Sequence, residues 1–256
     1  MQETNLQKII VPLPSKGLIY PIDSPLHKKE TITIREMCSD EEDILTSLNL
    51  IKTGRAIDTV VKNCILEDNI NPDKLLAGDR NSVIIGLVLS SYGNKYNVDV
   101  TCEKCPDINK QYEFDINNLP VKYLSIEPAE IGKNEFEFVL PKTKRKITFS
   151  LANSEDNREI STTVQKLKSA TNSTKETNIS TRFKRLILSI DGNYDKTKVS
   201  EFIDRRMMPI ADSIALRKYM DEISPDIITK QDFICKFCGN EGEVNIPIGF
   251  DFFWRG

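Results

Sequence analysis

The chain has 256 residues, 39% of them apolar, enough to bury one large core or two modest ones, which argues against disorder. Its 35 basic and 38 acidic residues leave a formal charge of −3, so no overall field draws it to nucleic acid or to an anionic membrane. The longest apolar run, 83–89 with Gly86 inside it, falls far short of the roughly 20 residues that span a bilayer, and the start lacks the pattern of a secretory signal. A soluble protein made in a reducing cytoplasm is therefore expected.

Residues 9–21, IIVPLPSKGLIYP, mix apolar residues with prolines and a glycine and read as an extended arm ending in a turn. Such an arm lies either on its own domain, the preferred reading, or on a partner subunit. TITIR at 31–35 alternates as a strand. From 39 the pattern becomes helical: Ser39 or Asp40 can cap, acidic residues follow, and Ile44, Leu45, Leu48 and Ile51 recur before Gly54. A second helix carries Ala56, Ile57, Val60, Val61, Cys64 and Ile65 on one face. Asn71-Pro72 opens a brief turn. Residues 80–91 are apolar nearly all round, as a buried central helix would be, and Tyr92-Gly93 stops them.

Residues 96–101 and 112–115 read as strands on either side of Cys102-Glu-Lys-Cys105. A second hairpin is expected from 135–140 and 146–150; its basic turn, with Lys142, Lys144, Arg145 and Lys146, reads as a solvated tip and not as a phosphate contact. Ser154 begins another capped helix, and the polar stretch 169–181 reads as a flexible loop. Helical spacing returns in Phe183, Leu186, Ile187 and Ile190, ending at Asp191-Gly192, then in Val199, Phe202 and Ile203, then in Ile214, Leu216, Tyr219, Met220 and Ile223. Residues 227–234 and 243–248 flank Cys235-Lys-Phe-Cys238 as strands, before an aromatic tail.

The two Cys-x-x-Cys pairs carry the chemistry. Four soft ligands at tetrahedral geometry are what a closed structural Zn²⁺ site needs, and Cys102, Cys105, Cys235 and Cys238 supply them in full, tying residue 102 to residue 238. Cys38 and Cys64 stand alone and read as small apolar packers. A catalytic reading finds little: His27 is the one histidine, an all-cysteine site leaves no open metal position, and no Walker loop, GxGxxG or HExxH is present. Phe250, Phe252, Phe253 and Trp254 either cover the ribbon internally or form a docking patch for a partner.

Taken together, LPSKGLIYP, the AGDR at 77–80, SYGNKY at 91–96 running into CEKC, the DG at 191–192, and CKFC followed by FDFFW resemble a family: the baseplate hub subunit and hub assembly protein of T-even-type contractile-tailed bacteriophages. The resemblance implies a late viral protein of the central hub of the tail baseplate, either a virion component or an assembly factor in the host cytoplasm, with other hub proteins as partners. Only the four cysteines carry over as site residues. The expected fold is α+β: an arm and helical unit at 1–93, a discontinuous Cys₄ zinc ribbon from 94–120 and 226–256, and a hairpin-plus-helices insertion at 121–225. The leading function is non-enzymatic assembly through protein–protein contacts, with oligomers allowed and neither nucleic acid nor membrane expected. The alternatives are a zinc-ribbon nucleic-acid-binding regulator, which would need a basic face, and a thiol oxidoreductase, which would need a low-pKa cysteine.

Overall fold

The computed structural model describes residues 6–171, 178–204 and 207–253. The arm is a strand, β1 (Lys8–Pro12), paired antiparallel with β2 (Thr31–Arg35), and between them the turn buries Leu13, Ser15, Ile19, Tyr20 and Leu26 within the same chain. It thus packs on its own domain. Gly17 makes this turn possible: its φ is +66°, and a Cβ there would stand 2.3 Å from the Leu26 carbonyl oxygen.

The helical unit follows as α1 (Ser39–Thr46), α2 (Leu48–Lys52) and α3 (Ala56–Cys64), a 3₁₀ turn at Pro72–Lys74, and α4 (Ala77–Tyr92). The expected single helix from 39 to 54 is broken at Ser47, whose backbone is extended. Its N-cap is Cys38, not Ser39 or Asp40; the Glu41 carboxylate reaches back to the Cys38 N–H at 3.0 Å while Arg35 grips the same carboxylate at 2.8 and 2.9 Å. Cys64 is a buried packer, its thiol pushed up to about 12 by burial. The α4 helix is the central one, with Val83, Ile84, Leu87 and Val88 fully buried and Gly86 close against Val11 of β1.

Next come the hairpin β3 (Lys95–Thr101) and β4 (Ile108–Asp115), a short β5 (Val121–Lys122), and the hairpin β6 (Phe136–Val139) and β7 (Lys146–Phe149). Helices α5 (Ser154–Thr171) and α6 (Asn178–Leu186) occupy both ends of the stretch expected to be a loop, of which 172–177 lie outside the described residues. The expected helix through Ile190 ends at Leu186; the chain continues as a strand, β8 (Ile187–Ile190). It completes the order β6-β7-β8, and its Ser189 hydroxyl donates to the Thr148 hydroxyl at 2.8 Å in the buried sheet. The open edge of β7 needed partners for its peptide groups, and that demand overrides helical spacing.

Helices α7 (Lys196–Asp204) and α8 (Ile210–Ile223) lead to β9 (Asp226–Ile227) and the last hairpin, β10 (Lys230–Ile234) with β11 (Glu241–Asn245), before a 3₁₀ turn at Phe250–Phe253. Among the described residues the fold is thus mixed α and β, eight helices with small antiparallel sheets. The decisive pairing is β5 with β9, Val121 opposite Ile227 and Lys122 opposite Asp226. It closes the long excursion between the two cysteine hairpins at its base.

Candidate metal centre

Each Cys-x-x-Cys occupies the turn of a hairpin, the first between β3 and β4 and the second between β10 and β11. A tight turn must fold its own carbonyls inward. Here the Cys102 N–H donates to the Asp107 carbonyl at 3.3 Å, the Cys235 N–H to the Asn240 carbonyl at 2.9 Å, and the Gly239 N–H back to the Cys235 carbonyl at 2.9 Å. Gly239 adopts φ +68°, a left-handed conformation that costs a side-chain-bearing residue about 1–2 kcal/mol.

The hairpins meet face to face without sharing a ladder. Tyr112 of β4 lies edge-on to Phe233 of β10 at 5.0 Å between ring centroids, and the Lys236 ammonium sits 5.1 Å from the Tyr112 centroid. Behind them Phe252 packs on Tyr96 at 4.8 Å. This contact brings the turns tip to tip, with Cys102 Sγ 3.7 Å from Cys238 Sγ and Cys105 Sγ 3.7 Å from Cys235 Sγ. All four sulfurs lie within 4.8 Å of one another. Tetrahedral Zn²⁺ with Zn–S bonds of about 2.3 Å needs sulfur–sulfur edges of about 3.8 Å, whereas a disulfide needs about 2.05 Å. The donor set and its spacing fit a closed metal site, and none of the four is in a disulfide.

The thiols do not share their protons evenly. The Asn109 amide N–H, ahead of every other influence, brings Cys235 down to about 6, and the Lys104 backbone N–H lowers Cys102. The Asp107 and Asn240 backbone N–H groups pull Cys105 and Cys238 the same way, but burial and the Cys235 and Cys102 sulfurs raise both. Four sulfurs this close hold four negative charges only around a cation, which is what a coordinating metal supplies. Neither pair opens a helix, the placement that activates a redox cysteine.

Two further constellations escaped sequence reasoning. Asn109, buried at 1% exposure, bridges the two hairpins, and nothing in a lone polar residue of a strand announces that role. The other joins the arm to α4: the Asp79 carboxylate, with no exposed surface, accepts from the Ser15 N–H at 2.9 Å, the Ser15 hydroxyl at 2.6 Å and the Tyr20 hydroxyl at 2.5 Å. The LPSKGLIYP and AGDR segments are therefore in direct contact.

Residues 13–254 match the family model described as T4 bacteriophage base plate protein. The chain belongs to that family. No curated protein matches, and no solved structure does. In this T4-type phage baseplate protein, Phe252 and Phe253, for which the sequence allowed either an internal cover of the ribbon or a docking patch, are buried at 0% and 3% exposure against their own chain, while Trp254 lies outside the described residues. Phe252 is buried against the aromatic wall that Tyr96 offers it. The basic turn of the baseplate protein is also partnered: Arg145 pairs with Asp191, Lys146 with Glu137 at 2.8 Å, and the Lys142 and Thr143 N–H groups donate to the buried Asp212 carboxylate. His27 is half-buried and hydrogen-bonds through Nδ1 to the Tyr20 carbonyl at 2.7 Å. No helix among the described residues is long and apolar enough to cross a membrane.

Proposed function

We propose that this baseplate protein is a subunit or assembly factor of the central hub, a non-enzymatic part held in shape by one Zn²⁺ on Cys102, Cys105, Cys235 and Cys238. The observation that carries the baseplate half is the family match over residues 13–254. The metal half rests on four cysteine sulfurs outside any disulfide, from hairpins far apart in sequence, gathered within 4.8 Å. Zn²⁺ bound by four thiolates has no open position for water or substrate and no redox chemistry of its own, so it contributes rigidity. The protein works through contacts with other hub proteins, assembling in the host cytoplasm and, as a subunit, remaining in the tail.

Purified tails, hub intermediates and infected-cell lysate analysed by mass spectrometry test the assignment. We expect the chain in hub intermediates, with one zinc per chain in the native mass spectrum. Its absence from both tails and hub intermediates would sink the hub reading. A native protein carrying four free thiols and no metal would sink the zinc.

A further inference from the structure

Asn109 stands on β4 opposite Val100, at the point where the β3–β4 register shifts. Its side chain leaves its own hairpin and meets the turn of the other. The Oδ1 atom accepts from the Lys236 backbone N–H at 2.8 Å. The Nδ2 atom donates to Cys235 Sγ at 3.4 Å and lies 3.5 Å from the Val100 carbonyl. A backbone N–H can only donate, so Lys236 dictates which end of the amide is the oxygen and leaves the NH₂ group facing the sulfur. One buried side chain thus fixes the backbone of the second Cys-x-x-Cys and contacts one of its ligands.

We infer that Asn109 is the positioning residue of the metal centre: it docks the 235–238 turn against the 102–105 turn before metal arrives, and its amide N–H supports the Cys235 thiolate once metal is bound. An outer partner of this kind orients a ligand and raises affinity by reducing what binding must order. Alanine offers neither group. Aspartate has the same shape and keeps an oxygen for Lys236, but turns a second oxygen toward the sulfur. The pair of variants therefore separates docking from ligand support. The affinity effect rests on the zinc reading above; the docking effect does not.

The test uses the full chain, reduced and stripped of metal, as wild type, Asn109→Asp and Asn109→Ala. Zinc affinity is measured by competition with a chelating dye, the ligand field by the sulfur-to-cobalt charge-transfer band of the Co²⁺ form, and docking by hydrogen exchange of the Lys236 amide in the metal-free chain. Asn109→Asp is expected to keep Lys236 protected, bind zinc at least about tenfold more weakly, and shift the cobalt band. Asn109→Ala is expected to lose Lys236 protection as well. Wild-type zinc affinity and an unmoved band in Asn109→Asp, with unchanged thermal unfolding, overturn the inference about the ligand. Unchanged Lys236 protection in Asn109→Ala overturns docking. A wild-type chain that takes up no zinc overturns the zinc reading instead, a result the exchange data do not mimic.

Discussion

Asp79 is the residue on which the N-terminal half turns. Burying a carboxylate is costly unless its oxygens are satisfied, and here three donors from the arm meet it while the Tyr20 hydroxyl in turn accepts the Leu76 N–H at 3.0 Å. The Ser15 N–H can only donate, and the two hydroxyls complete the set of partners around the carboxyl group. Burial pushes its pKa up, with the Ser15 and Tyr20 hydrogen bonds pulling it back. Asp79→Asn turns an NH₂ group toward hydroxyls that already donate; we expect a loss of about 2–3 kcal/mol in urea unfolding, with the arm exchanging faster than α4. None of this was legible from residue types: nothing about a serine and a tyrosine in an extended arm and an aspartate in AGDR announces that they meet. Only their convergence makes a site.

At the scale of elements, α4 is organised by the glycine beside that aspartate. A Cβ on Gly78 would stand 2.0 Å from the Pro225 carbonyl oxygen, so the start of α4 and the approach to β9 share a space that fits only hydrogen. Asn81 Nδ2 then reaches Asp226 Oδ1 at 2.9 Å on the same contact. Gly78→Ala is expected to cost about 3 kcal/mol in thermal or urea unfolding, the upper end for overpacking, and to loosen the β5–β9 pairing. Gly54, at φ +66° with open space around it, is the control: Gly54→Ala meets backbone strain alone, about 1 kcal/mol. The elements most legible in the sequence were those with a clear period, α3 and the β3–β4 hairpin, together with α4, whose apolar run is long and ends at Tyr92-Gly93. Residues 187–190 misled because a short apolar run fits either period, and the vacant edge of β7 decided the matter.

Over the whole molecule, the candidate metal and the β5–β9 ladder are two ties at one junction, one at the tips of the cysteine hairpins and one at their base. If zinc joins the tips, Cys235→Ser leaves three ligands and releases both hairpins. Amide protection should then fall as much in β3–β4 as in β10–β11, while the β6-β7-β8 sheet keeps its own. A first hairpin that stayed fully protected in the variant would show the pairs to be independent. The sequence by itself determined the two Cys-x-x-Cys turns, the apolar central helix and the arm's extended character, because each is written in neighbouring residues as a spacing or a backbone restriction. Tertiary structure alone decided that the four sulfurs gather within 4.8 Å of one another, that Asn109 bridges their hairpins, that Asp79 latches the arm, and that Phe252 and Phe253 turn inward. Those are contacts between residues tens of positions apart or more, and they exist only where packing and hydrogen-bond satisfaction across the whole core bring the segments together.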